Sequence, residues 1–142
     1  MTKENTKDKQ KEMQKRYIEY QVCEQQLKQL QQQLEKLEMQ TLEVNNVIQS
    51  VEDISKAKPG EEVLVPVTGG IFFKANMSEN SRFLVNVGGG VVVDKDVEGT
   101  KKLLQEQAME IEKYKEQIAS QIAAQISRYQ ELEAELKKLV EE

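Results

Sequence analysis

The chain has 142 residues, of which 32% are charged and 5% aromatic, and its formal net charge is −5. That length ordinarily makes one domain, and the balance is that of a long helical protein rather than a compact core. An acidic chain lacks the basic face of most nucleic-acid binders. A single cysteine rules out an internal disulfide, and the absence of histidine removes zinc sites and His-dependent nucleophile systems.

Apart from Met1 the first twelve residues are wholly polar, and they are expected to fray. From Met13 an apolar seam recurs at alternating steps of three and four: Tyr20, Cys23, Leu27, Leu30, Leu34, Leu37, (Thr41), Val44, Ile48, Val51. About five heptads of this pattern predict a coiled coil. Cys23 falls on the seam and reads as a small buried hydrophobe. The arm, residues 1–58, ends at Lys56-Ala57-Lys58-Pro59-Gly60, where Pro59 lacks the amide a helix needs.

Residues 59–95 have strand character and contain a repeat. Val63-Leu64-Val65-Pro66-Val67-Thr68-Gly69-Gly70-Ile71 returns as Phe83-Leu84-Val85-Asn86-Val87-Gly88-Gly89-Gly90-Val91. Strands are predicted over 63–67, 71–74, 82–87 and 91–93. Thr68-Gly69-Gly70 and Gly88-Gly89-Gly90 suit three-residue hairpin loops with one glycine left-handed, and 76–81 links the hairpins. The strands are apolar on both faces: Val63, Leu64, Val65 and Val67; Ile71, Phe72 and Phe73; Phe83, Leu84, Val85 and Val87; Val91, Val92 and Val93. Isolated hairpins are marginal in water, and burying one such side chain is worth roughly 1.5–3 kcal/mol. These fourteen residues are therefore expected to be an assembly surface closed by other copies or other subunits. Pro66 cannot donate a ladder hydrogen bond, so its strand is an edge or its amide site faces away from a neighbour.

The second arm, 96–142, starts at Asp94 or Asp96, either of which suits a helix cap. Its seam is Val97, Leu104, Ala108, Ile111, (Lys115), Ile118, Ile122, (Gln125), Tyr129, Leu132, Leu136, Leu139. The polar members Lys115 and Gln125 fix register at a cost in stability. The first sixteen residues carry six Lys or Arg against three acids, and the last twelve carry five Glu against Lys137 and Lys138. Arms of matched length and opposite terminal charge predict an antiparallel pair; two separate intermolecular coiled coils are the alternative. The expected fold class is α+β, a single domain built as a long antiparallel two-helix coiled coil with two central β-hairpins.

Chemistry is sparse. Gly88-Gly89-Gly90 runs into a strand, unlike a phosphate loop, and Asp94 with Asp96 reads as a cap rather than a metal pair. No catalytic residue, cofactor or metal is expected. No apolar run reaches the ~18 residues of a membrane span, and the polar N-terminus is unlike a secretory signal, so a cytoplasmic location and no membrane partner are expected. Off-seam apolar residues remain. Leu42, Val47, Ile54 and Leu103 lie towards the β segment. At the arm tip Tyr17, Ile18 and Val140 are off-seam, and Met13, Tyr20, Leu132, Leu136 and Leu139 join them if the end frays. Isolated surface apolar residues are ordinary; a loose hydrophobic binding surface is the functional reading.

Long helix, Leu64-Val65-Pro66-Val67 with Thr68-Gly69-Gly70 and Ile71-Phe72-Phe73-Lys74-Ala75, then Phe83 to Val87, Gly88-Gly89-Gly90 and Val91 to Glu98, then a second long helix: this order resembles the archaeal prefoldin alpha subunit, from about Tyr17 to Val140. Two hairpins rather than one mark the alpha class. The resemblance implies a hexamer of two alpha and four beta-class subunits whose hairpins form an intersubunit β-barrel. It implies a co-chaperone that holds unfolded client proteins at the coiled-coil tips without ATP and passes them to a group II chaperonin. The alternatives are a scaffold coiled coil binding a folded partner, or a filament-forming relative.

Overall fold

The computed structural model describes residues 3–78 and 82–141. The elements in chain order are α1 (Lys3–Lys56), β1 (Glu62–Thr68), β2 (Ile71–Asn76), β3 (Arg82–Gly88), β4 (Val91–Asp96) and α2 (Val97–Glu141). Helix α1 is continuous from Lys3 through the residues that precede the seam. Residues 3–12 lack apolar content but are mostly strong helix formers, and helix propagation past the seam requires no core. The chain divides into two compact units, Met1–Met39 with Glu112–Glu142 and Gln40–Ile111.

In the first unit α1 and α2 run antiparallel. Tyr20 stacks on Tyr129 with ring centroids 4.5 Å apart, and their hydroxyls are hydrogen-bonded. One turn on, buried Cys23 donates its thiol to Gln125 Oε1 at 3.1 Å, and Gln125 Nε2 donates to Gln26 Oε1 at 3.1 Å. The polar seam residue is thus satisfied across the helix pair, as a register-setting residue must be if its burial is not to cost stability. Leu132, 1% exposed, is the most deeply buried large side chain. One pair joins the opposed terminal charges as expected, with Arg16 Nε 3.2 Å from Glu135 Oε2; a second, Arg128 Nη2 3.0 Å from Glu19 Oε2, lies outside both terminal segments and has the signs reversed. At partly exposed sites such pairs are each worth about 0.2–1 kcal/mol, enough to bias the pairing but not to make it. Every predicted seam residue from Tyr20 to Leu37 and from Ile118 to Leu139 is buried or half-buried.

In the second unit the seam closes on Val51, Leu104 and Thr100, all buried, with Lys101 Nζ 3.3 Å from Glu52 Oε1. Of the off-seam residues, Leu42, Val47 and Ile54 are exposed and Leu103 is half-buried. After α1 the chain reverses through Lys58-Pro59-Gly60-Glu61, closed by Glu61 N–H donating to Lys58 O at 3.0 Å. Gly60 has φ 86, so Pro59 and Gly60 occupy the two central positions a type II turn assigns them.

Each hairpin is its own two-stranded antiparallel sheet, β1 with β2 and β3 with β4. The registers are identical under the 20-residue repeat: Leu64 pairs with Lys74 and Pro66 with Phe72, as Leu84 pairs with Asp94 and Asn86 with Val92. The loops differ from expectation. Gly69 and Gly70 both have positive φ (58 and 80), as do Gly89 and Gly90 (60 and 77), which is the requirement of a two-residue type I′ turn. The third loop residue is absorbed by a register shift between Pro66 and Thr68, and between Asn86 and Gly88, that leaves Val67 and Val87 as bulge residues. Strand β4 also runs three residues beyond Val93. Its last residue caps α2: Gly99 N–H donates to Asp96 Oδ1 at 2.7 Å and Thr100 Oγ1 to Asp96 O at 2.7 Å, so the cap is Asp96 rather than Asp94. A Cβ on Gly99 would lie 2.8 Å from that carboxylate, which explains a glycine in the first turn. Of the linker expected at 76–81, residues 79–81 lie outside the described residues.

Candidate functional site

Two surfaces emerge. The first is the pair of hairpins. In β1–β2, side chains of Val63, Val65, Phe73 and Ala75 share one face, and Glu62, Leu64, Pro66, Phe72, Lys74 and Asn76 the other. In β3–β4 the corresponding sets are Phe83, Val85, Val93 and Lys95, and Arg82, Leu84, Asn86, Val92, Asp94 and Asp96. Val63, Val65, Phe83, Val85 and Val93 are half-buried; Leu64, Val67, Ile71, Phe72, Phe73, Leu84, Val87, Val91 and Val92 are exposed. None of the fourteen expected assembly residues enters a core of this chain. Both hairpins carry one cross-strand ion pair at the same place in the repeat, with the signs exchanged. Lys74 Nζ lies 3.8 Å from Glu62 Oε1, and Arg82 Nε lies 2.9 Å from Asp94 Oδ1. That much apolar surface on two isolated hairpins is far beyond what a stable free sheet tolerates.

The second surface is a groove of about 500 Å³ in the first unit, lined by Met13, Gln14, Tyr17, Tyr20, Glu133, Leu136 and Val140. Five of the eight expected tip residues meet here. Tyr17 is 54% exposed and Val140 70% exposed, while Met13, Tyr20 and Leu136 form a half-buried floor. Ile18 and Leu132 instead line a separate hollow of about 290 Å³ with Val22, Cys23 and Arg128. Leu132, expected on the seam and at the tip surface only if the end frays, is buried in the folded arm. Leu139 is half-buried on the seam. The sequence reading missed Val22, which stands four residues after Ile18 and so shares its helix face.

The Tyr20 phenol is pushed up to about 12, first by its hydrogen bond with Tyr129 and then by desolvation and nearby Glu133 and Glu24. It is therefore a neutral donor or acceptor at any physiological pH. Among the described residues there is no cluster of three or more Cys, Asp or Glu able to hold a metal, and no helix is long and apolar enough to cross a membrane.

Residues 23–142 match the family model for prefoldin subunits. The chain is 26% identical over 119 residues to the prefoldin subunit alpha of Thermofilum pendens, covering 84% of this chain and 92% of that one. It is 29% identical over 127 residues to that of Methanococcus vannielii (89% and 85%) and 25% identical over 126 residues to that of Archaeoglobus fulgidus (89% and 92%). A subunit of the filamentous prefoldin of Methanocaldococcus jannaschii superposes with a TM-score of 0.73 at 16% identity, over 81% of this chain and 95% of that one, which establishes the shared fold. Matched in sequence over most of its length and in the order of helix, two hairpins and helix, the chain belongs to the prefoldin subunit family.

Proposed function

We propose that this chain is an alpha-class prefoldin subunit that assembles with four beta-class subunits and a second copy of itself into a cytoplasmic hexamer. The particle captures non-native polypeptides at its coiled-coil tips without ATP and hands them to a group II chaperonin. The family is one of chaperones, not of enzymes. The observation that carries the reading is the groove between Tyr17 and Val140. It is an open hollow lined by five apolar or aromatic side chains with only Gln14 and Glu133 as polar members, too few to specify one folded ligand. Unfolded chains offer scattered apolar side chains, and covering a residue such as Tyr17 or Val140 yields roughly 1–2 kcal/mol each. Several arms gripping one client multiply these weak contacts.

The test is suppression of aggregation of a denatured protein, followed by light scattering, with the reconstituted hexamer. Trimming residues 1–20 and 130–142, or replacing Tyr17, Ile18, Leu139 and Val140 by Ser, is expected to leave the hexamer intact and weaken suppression. Matching changes on the beta-class arms remove the dilution by unaltered tips. Undiminished activity with all six tips removed would place client binding on the shafts or beneath the barrel instead.

A further inference from the structure

We propose that Tyr20 and Tyr129 form an oxidative cross-linking site, at which a small one-electron oxidant such as a peroxide-derived radical joins the two rings as dityrosine and fastens α1 to α2 covalently. The inference stands on the geometry of the pair and is independent of the chaperone reading.

The chain has four tyrosines. Tyr17 and Tyr114 are each more than half exposed, while Tyr20 and Tyr129 are half-buried. Among the described residues only Tyr20 and Tyr129 bring two aromatic rings into contact, with centroids 4.5 Å apart and planes 25° from parallel. That is the close end of the range in which aromatic pairs settle, roughly 4.5–7 Å. The two hydroxyls are hydrogen-bonded to each other, so the rings overlie in the same sense. The carbons ortho to the two oxygens, where phenoxyl radicals couple, therefore lie side by side. Stacked rings with their hydroxyls pointing apart would share the centroid distance and lack this juxtaposition.

The contact is clamped on both sides. Towards the chain ends Arg16 Nε lies 3.2 Å from Glu135 Oε2. On the other side Gln125 Nε2 donates to Gln26 Oε1 at 3.1 Å. Rings held in this way need not find one another by diffusion, which turns a bimolecular coupling into an intramolecular one. The oxidant has a path, because Tyr20 lines the open groove. The one thiol able to repair a tyrosyl radical by giving up hydrogen is engaged elsewhere: Cys23 Sγ lies 3.1 Å from Gln125 Oε1 and 3.4 Å from Gln125 O.

In the reaction each ring gives up one electron and its phenolic proton and becomes a phenoxyl radical. The unpaired electrons combine in a C–C bond between the two ortho carbons. The hydrogens those carbons carried then move to the oxygens, which restores both phenols. The two electrons reduce two equivalents of oxidant, and the two protons pass to water. The product closes a loop that spans most of the chain, and a cross-link of that span restricts the unfolded state strongly. It also holds the seam closed beside the groove.

The test uses the full chain reconstituted with a beta-class partner, from an equal mixture of unlabelled and heavy-isotope-labelled copies. The oxidant is ruthenium tris(bipyridyl) with persulfate under a brief flash. Cleavage after glutamate separates Tyr17 from Tyr20 at Glu19, so mass spectrometry assigns the link. The expected product joins Tyr20 to Tyr129 within one isotopic form, two hydrogens lighter than the separate peptides and with dityrosine fluorescence. Tyr129→Phe keeps the ring and the stack, and with unchanged helix content by circular dichroism it is expected to lose this product altogether. Amides near Gln26 and Gln125 are expected to exchange more slowly after oxidation. Peptides linked across the two isotopic forms, coupling at Tyr17 or Tyr114 in preference to the stacked pair, or an equal yield from chain unfolded in urea would each overturn the assignment.

Discussion

Leu132 separates support from contact at the arm tip. Replacing it by Ala removes a side chain that is 1% exposed and leaves a hole between α1 and α2 beside the Tyr20–Tyr129 stack. Buried Leu→Ala changes cost about 2–5 kcal/mol, and a two-helix seam open to water on both flanks relaxes more than a globular core, which favours about 2–3 kcal/mol. If the first unit opens locally by that amount, amides near Tyr20–Gln26 and Gln125–Leu136 exchange roughly 30- to 150-fold faster, while protection in β1–β4 is unchanged. Leu132→Met conserves volume and is expected to cost less than about 1.5 kcal/mol, restoring most of the protection. Hydrogen exchange on the reconstituted hexamer reads both variants, alongside aggregation suppression. Loss of suppression in Leu132→Ala without faster exchange would refute the reasoning, since Leu132 would then be touching clients rather than holding the groove in shape.

Two further outcomes are expected. Phe83→Asp or Val85→Asp places a charge on the apolar face of β3–β4, where burial without a partner costs several kcal/mol; size-exclusion chromatography with a beta-class partner is expected to show no hexamer, and assembly at the unaltered yield would count against burial of that face. In an ultraviolet phenolate titration Tyr20 is expected to ionise near 12 and to return towards the ordinary value near 10 in Tyr129→Phe. Because the folded state holds this proton more tightly than the unfolded chain, its stabilisation is fully present below about pH 10 and is lost as pH rises through about 12.

The seam was fully legible: every apolar position placed on it from Tyr20 to Val51 and from Val97 to Leu139 is buried or half-buried, because a 3.5-residue period admits one facing. The repeat likewise announced two hairpins of one design. What periodicity does not carry is lateral detail. Tyr17 and Ile18 read as one tip patch, yet adjacent helix positions differ by about 100°, so one falls in the groove and the other beyond the opposite flank. The Cys23–Gln125–Gln26 network depends on which residues the antiparallel register sets opposite, and hydropathy is silent on that. The turns shortened from three residues to two because a bulge took up the third, and a bulge leaves no mark in a run such as Pro66-Val67-Thr68. Gly99 looks like a helix breaker until the Asp96 carboxylate is seen filling the space of its missing Cβ.

The direct passage from β4 into α2 has a consequence for anyone rebuilding this molecule. Strand ends at Asp96 and helix begins at Val97 with nothing between, so the side of α2 that meets Val51 is set by the strand that precedes it. One inserted residue at this seamless joint would turn the helix by about 100° and carry Leu104 away from the core it fills. On the other side of the same unit, residues 57–61 separate α1 from β1 and already contain a turn that absorbs a change of direction. Length polymorphism and engineered insertions are therefore tolerable before the first hairpin and forbidden after the second, although both are junctions between the same kinds of element.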